Sequence, residues 1–149
     1  MIRRLGPGDL PGLRALNRLF GEVFDEAENY TAAPPDDAYC AELLADRDIV
    51  LLLAEMDGQA VGGLAGYMLR KFERERAEFF IYDLGVDEAF RRQGIATALI
   101  DQARQIAREC GAWTVFVQAD VFPEDEPARR LYRKLAREEM TALHFDIAP

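Results

Sequence analysis

The stretch from Phe79 to Gly111 constrains this chain most. An apolar, strand-like run (Phe79 to Val86) leads into Arg91-Arg92-Gln93-Gly94-Ile95-Ala96, and a strongly amphipathic helix begins inside that second segment. Ile95, Leu99, Ala103, Ile106 and Cys110 follow at spacings of four, four, three and four, which lays one apolar face along a helix. Gly111 is placed to end it as a C-terminal cap. At its start the first backbone N–H groups lack a partner within the helix, and the helix dipole puts partial positive charge there. Gly94 and Ala96 keep the turn free of bulk and Thr97 adds a hydroxyl, so an anion such as a pyrophosphate can approach the backbone. A basic, glycine-containing turn is by itself more often an ordinary connection. Two further motifs change that weighting.

Length and charge narrow the choices. With 149 residues the chain is expected to form one domain, residues 1–149, with a core of real size and no linker. The longest aliphatic run, Ile49 to Ala54, is far too short to span a bilayer, and Met1 to Pro7 carries no apolar signal core. The expectation is a cytoplasmic protein without a membrane partner. Cys40 and Cys110 both fall in helical patterns and are expected as free, buried thiols. With His144 the single histidine, no conventional zinc or other metal site is expected. A net charge of −9 argues against nucleic acid, whose phosphates call for a basic patch. It suits a cationic partner, although solubility alone accounts for it equally well.

Along the chain, Ile2 to Leu5 reads as a first strand, and Asp9 can cap a helix carrying Leu13, Leu16, Phe20 and Phe24 inward. A second helix is expected over Asp37 to Ala45. The segment between them, Asp25-Glu26-Ala27-Glu28-Asn29-Tyr30 followed by Pro34-Pro35, is an acidic loop with an aromatic residue. Ile49 to Ala54 and Ala60 to Leu69 form a hairpin around Asp57-Gly58. Gly62, Gly63 and Gly66 have the wrong spacing for a dinucleotide fingerprint and lead into more strand, so bulge or close-packing roles fit them better. A strand over Ala77 to Val86, the motif helix, a strand over Trp113 to Ala119, a helix from Pro127 and a last strand around Leu143 to Ile147 complete the order. The sequence βααβββαβαβ indicates an α/β protein with a mixed sheet.

The second motif is the helix Asp125 to Leu135. Pro127 suits its first turn, and Ala128, Leu131 and Leu135 form an inner face with Tyr132 beside them. Alone, Tyr132 would be a core-facing aromatic. The third is Ile81-Tyr82-Asp83-Leu84-Gly85-Val86, where Asp83 interrupts a run expected to be buried. A carboxylate there is costly unless it is paired or used. An edge carboxylate with a backbone partner is the alternative account.

Together these residues resemble the GCN5-related N-acetyltransferase superfamily. Arg91-x-x-Gly94-x-Ala96 fits its Q/R-x-x-G-x-G/A acetyl-CoA pyrophosphate signature, Leu84-Gly85-Val86 lies where the pantetheine arm pairs with the fourth strand, and Leu131-Tyr132 matches a later L-Y. The resemblance implies a mixed central sheet with splayed fourth and fifth strands and helices on both faces. It also implies acetyl-CoA as co-substrate, held by Leu84 to Val86 and by Arg91, Arg92, Gln93, Gly94, Ile95, Ala96 and Thr97. A narrower resemblance, over nearly the whole chain, is to the type I aminoglycoside 3-N-acetyltransferases. Phe20-Gly21, Tyr30, Tyr39, Lys71-Phe72-Glu73, Ile81 to Leu84, Arg91 to Ile100, Val117 to Asp120 and His144-Phe145-Asp146-Ile147 carry it. The chain departs from that pattern at Ala136, often glycine there, and in a longer Val121-Phe122-Pro123-Glu124 loop, which bears on substrate range more than on the reaction.

The resemblance implies direct attack of an acceptor amine on the thioester. An alkyl ammonium has a pKa of about 10, so a base is needed at neutral pH. Asp83 is the first candidate, directly or through water. Strict alternation puts Asp83 opposite Tyr82 and Phe80, with Glu78 on their face, so Glu78 is the reserve base unless a bulge re-aims Asp83. Tyr132 is assigned the acid by the resemblance alone. Glu28, Tyr30, Tyr82, Asp120 and Asp146 are the candidates for an acceptor pocket, each with a solvated-surface alternative. His144 is expected to pack or hydrogen-bond structurally. The implied function is transfer of acetyl to the 3-amino group of gentamicin-class antibiotics, by an enzyme expected to dimerise. An acetyltransferase for a polyamine or a lysine-containing peptide, and a non-catalytic acetyl-CoA-binding domain, are the alternatives.

Overall fold

The computed structural model describes residues 1–149. They form two compact units, Met1–Gln118 and Ala119–Pro149. In the first, β1 (Ile2–Arg4), β2 (Ile49–Met56), β3 (Gln59–Arg70), β4 (Ala77–Val86) and β5 (Ala112–Val117) make one sheet in chain order. The pairs β1–β2, β2–β3 and β3–β4 are antiparallel, and β5 runs parallel to β4. Three helices precede β2, namely α1 (Leu10–Val23), the single turn α2 (Ala27–Tyr30) and α3 (Asp37–Ala45); α4 (Ile95–Glu109) links β4 to β5.

Local chemistry explains the boundaries. Asp9 caps α1 by accepting from the Gly12 N–H at 3.0 Å, and Asp36 caps α3 through the Tyr39 N–H at 2.8 Å. The β2–β3 hairpin turns on Asp57 and Gly58, both at positive φ (50° and 78°), as a two-residue turn with the twist of the strands demands. At the end of α4, Gly111 takes φ 81° and donates to the Arg108 carbonyl. Cys110 there is exposed, and only Cys40 is buried; both are free. The helical spacing placed Cys110 on the apolar face, but as the C-cap residue it has already left the packed turns.

Helices cover both faces of the sheet. A side chain at Gly63 would meet Leu16 and Phe20 of α1, whereas one at Gly62 would meet Ile95 and Leu99 of α4. Adjacent strand residues point oppositely, so α1 and α4 lie on opposite sides. Register carries this assignment across the sheet. Leu53, Gly63, Ala65 and Gly85 face α1, and Val50, Leu52, Leu64 and Gly66 face α4. The α1 side packs Leu13, Leu16, Leu19 and Phe20 against Leu53 and Ala65, with Cys40 and Leu44 from α3. On the α4 side Leu99, Ala103 and Ile106 are buried, as are Phe79 and Ile81 of β4. Each such Leu, Ile or Phe side chain contributes roughly 1.5–3 kcal/mol by leaving water.

The second unit holds a turn of tight helix at Pro123–Asp125, the helix α5 (Glu126–Leu135), and a tail over 136–149. Arg129 ties it together, pairing with Glu126 at 2.9 Å and donating to the carbonyls of Phe122 and Asp120. Leu131 and Tyr132 are half-buried, but Leu135 is exposed and no residue of α5 is fully buried. The strand expected over Leu143 to Ile147 is absent. Leu143, Phe145 and Ile147 are exposed, and no strand pairs with them. Alternation specifies which side chains would share a face, but a strand also needs a neighbour to take its backbone hydrogen bonds.

Candidate functional site

The site is built around a break in β4. Ala65 pairs with Asp83, and the next residue, Gly66, pairs with Ile81, which leaves Tyr82 as one extra residue in β4. Paired residues share a face, so Asp83 faces α1 while Ile81 faces α4. This bulge removes the objection from strict alternation: Asp83, Phe80 and Tyr82 now lie on one face. Phe80 stacks on Phe116 (centroids 4.7 Å apart) and meets Tyr82 edge-on at 5.5 Å; Tyr82 in turn meets Tyr67 at 5.8 Å. Glu78, paired with Leu69, also faces this side but lies toward the start of the strand.

Asp83 borders a cavity of about 380 Å³ under α1. Leu13, Leu16 and Phe20 of α1, Tyr30, Tyr39 of α3, and Ala65 and Tyr67 of β3 line it, and no Lys, Arg or His does. Tyr30 donates a hydrogen bond to Asp83 Oδ1 at 3.1 Å. Burial holds the Asp83 carboxyl above its ordinary pKa, the Tyr30 hydrogen bond opposes that, and the Glu26 charge adds to it. Tyr30 is pushed up first by burial and then by the charge of Asp83, so it stays a protonated donor. Tyr67 is raised by the same two causes.

Beyond the bulge the sheet opens. Pairing of β4 with β5 ends at Ile81 opposite Val117, so Tyr82 to Val86 have β3 as their one neighbouring strand. Asp87 then caps a tight turn over Glu88–Phe90 by accepting from the Ala89 N–H at 2.9 Å, and Arg91 Nε reaches back to the Val86 carbonyl at 3.3 Å. Arg92 and Gly94 both take positive φ (63° and 81°), the first unusual for a residue with a side chain. Gly94 is the N-cap of α4 and no side chain caps the helix. The first intrahelical bond is Ala98 N–H to Gly94 carbonyl at 2.9 Å, so the N–H groups of Ile95, Ala96 and Thr97 remain for a ligand. Exposed Arg91, Arg92 and Gln93 flank them.

The structure thus brings Asp83, Tyr30 and Tyr82 onto one face of the first unit, with Glu78 farther along β4. Glu28 is exposed on α2 and points to no partner; the acidic residue that acts on Asp83 is Glu26. In the second unit, Tyr132 is raised by burial and then by the Asp125 charge. Asp120 is exposed, and Asp146 sits at 3.0 Å from His144 Nε2 in the tail. Sequence reasoning missed Tyr67, whose place beside Asp83 depends on the β3–β4 register.

The model of the acetyltransferase (GNAT) family matches residues 13–136. Among solved structures, an aminoglycoside acetyltransferase, HMB0005, from an uncultured soil metagenomic sample is 46% identical, with 100% of this chain and 97% of that one covered and a TM-score of 0.97. A second, meta-AAC0020 from an uncultured soil metagenomic sample in complex with sisomicin, is 33% identical over 99% and 96% of the two chains, with a TM-score of 0.84. A ribosomal-protein-alanine N-acetyltransferase from Brucella melitensis biovar Abortus 2308 is 27% identical over 97% and 98%, with a TM-score of 0.68. No curated protein matches the chain. Because the matched segment contains the bulged strand, the open sheet edge and the uncapped helix start, the chain belongs to the GNAT acetyltransferase family.

Proposed function

We propose that this chain is an acetyl-CoA-dependent aminoglycoside N-acetyltransferase acting on the 3-amino group of the 2-deoxystreptamine ring of gentamicin-class drugs. The observation that carries the reading is the bulge that aims Asp83 into a cation-free cavity lined by tyrosines. An ammonium-bearing acceptor suits that cavity, because a carboxylate raised by burial regains stability when a cation arrives. The likeness to HMB0005 and to the sisomicin-bound meta-AAC0020 supports an aminoglycoside as the acceptor.

The residues present fit acetyl-CoA. Its pyrophosphate would be held by the free N–H groups of Ile95, Ala96 and Thr97, with Arg91, Arg92 and Gln93 around them and Gly94 supplying the turn. Its pantetheine arm would lie on the unpaired edge of Leu84, Gly85 and Val86. When bound, it supplies the activated acetyl group. The chain's own contribution is alignment and proton handling. Asp83 accepts a proton from the acceptor ammonium, with Glu78 as the reserve, and the Tyr132 hydroxyl delivers one to the departing sulfur. Burial and the Asp125 charge hold the Tyr132 phenol above its ordinary value, so it keeps its proton at neutral pH and can donate to a thiolate whose conjugate acid lies at about 8.5. Tyr82 borders the acceptor, and Tyr30, Glu28, Asp120 and Asp146 are assigned to the acceptor pocket by resemblance. We place the whole chain in one functional domain working in the cytoplasm as a homodimer. No helix is long and apolar enough to cross a membrane.

The test is thiol release from acetyl-CoA with gentamicin, with a 3-N-blocked analogue and with spermidine, followed by mass analysis of each product. One acetyl group added to gentamicin alone supports the reading. Turnover of the blocked analogue moves the acylated amine, and turnover of spermidine alone replaces the acceptor class.

A further inference from the structure

We infer that Tyr30 is a positioning residue, which fixes the Asp83 carboxylate through one oxygen and leaves the other for the acceptor amine. This deepens the reading of Asp83 as the proton acceptor and rests on it. The sequence placed Tyr30 among the substrate contacts, whereas in the structure its hydroxyl is spent on Asp83 Oδ1 at 3.1 Å. The Asp83 carboxylate accepts no other hydrogen bond from the protein, so Oδ2 is available.

Tyr30 is built to hold that geometry. It ends the single turn α2, whose Thr31 N–H closes on the Ala27 carbonyl at 2.8 Å. Its ring lies 5.8 Å from Phe20 and 5.9 Å from Phe24, and those two rings stack at 5.3 Å. A phenol anchored in this way loses little freedom when it donates, so the hydroxyl is aimed before any substrate arrives. The groups facing Asp83 are Tyr30 and Glu26 from the α2 region, Tyr39 across the cavity on α3, Tyr67 on β3 and Tyr82 on β4. None is a cation. Tyr30 is therefore the one hydrogen-bond donor that favours the ionised carboxylate against burial and against Glu26. Without it the carboxylate would hold its proton to higher pH, and less of it would be free to accept one along that limb of the titration.

The experiment compares the full-length protein with Tyr30→Phe, which keeps the ring and its packing and removes the hydroxyl. Carbon-13 NMR of labelled aspartate carboxyls, with the Asp83 signal identified by its loss in Asp83→Asn, follows the titration directly and needs no substrate. The signal is expected to titrate at higher pH in Tyr30→Phe than in the unchanged protein; an identical titration overturns the inference. In parallel, kcat/KM for sisomicin acetylation is expected to fall on the acid limb of its pH profile, by at most on the order of tenfold, the scale of a hydrogen bond to a charged group. It should recover at alkaline pH, so that the acid limb moves upward. A uniform rise in KM at every pH would make Tyr30 a substrate contact and refute the positioning role. If the unchanged protein acetylates no aminoglycoside, the proposed function fails, while the NMR titration still decides the role of Tyr30.

Discussion

Gly66→Ala tests the link between packing and the site. Gly66 stands opposite Ile81 at the step where the β3–β4 register shifts, and it faces α4. A methyl group there would lie 2.4 Å from Phe79 Cζ and 2.9 Å from the Phe80 carbonyl oxygen, where ordinary contact begins at 3.4 Å. The ring must retreat by about 1 Å and the carbonyl by about 0.5 Å to restore contact distances of the usual size. Phe79 is fully buried and cannot swing into solvent, and the carbonyl belongs to the strand that carries the bulge. Overpacking of this kind costs about 1–3 kcal/mol, and the loss of glycine flexibility returns roughly 0.5–1 kcal/mol. The net destabilisation, up to about 2.5 kcal/mol, should lower Tm by as much as roughly 5–10 °C in a chain of this size. Because the displaced carbonyl lies beside the bulge, turnover should also fall, on the order of tenfold. Thermal unfolding by circular dichroism and a thiol-release assay read both effects. Gly6→Ala is the control, since nothing lies within 4 Å of its added carbon. If Gly66→Ala melts and turns over like Gly6→Ala, the register and the crowding inferred at the bulge are wrong.

Two further predictions concern the two ends of the site. Asp83 is an acid with a folded-state pKa above its ordinary value, so native-state stability is greatest with the proton on and is lost as pH rises through that raised pKa. Asp83→Asn removes the loss: its Tm should exceed that of the unchanged protein at pH 8 and converge with it on acidification toward the ordinary carboxylate range. A constant offset at all pH values would show that Asp83 is not stressed by burial. Gly94→Ala should cost about 1–2 kcal/mol through its positive φ alone, since the space beside it is open. Calorimetry should find coenzyme A bound at least about fivefold more weakly, if the free N–H groups of α4 hold it; unchanged affinity would move the anion elsewhere.

The legible parts of the fold were those written in local chemistry. Asp9, Asp57-Gly58 and Gly111 each act within a few residues of themselves, and all three do what their types require. The apolar spacing from Ile95 fixed α4 because its partners recur along one helix. Asp83 was visible as a carboxylate out of place in an apolar strand, but its direction was not. That direction depends on Tyr82 being the unpaired residue, a property of the β3–β4 ladder and not of β4 alone. The hydrogen bond from Tyr30 joins residues 53 positions apart, and no periodicity reports such a pair. Glu26 and not Glu28 influences Asp83 because α2 is a single turn, too short for sequence spacing to orient. At the chain end Leu143, Phe145 and Ile147 alternate as a strand would, but nothing pairs with them and no strand forms.

The account stands on Asp83 as the group that takes the proton from the acceptor, so the deciding measurement is the pH dependence of kcat/KM for Asp83→Asn and Glu78→Gln beside the unchanged protein, with one accepted aminoglycoside. Asp83→Asn should lose at least about a hundredfold at neutral pH, the scale of general base catalysis, and regain part of it as the free amine forms at high pH. Glu78→Gln should keep both rate and profile. A Glu78→Gln enzyme that loses the acid limb while Asp83→Asn retains it would contradict the account and make Glu78 the base.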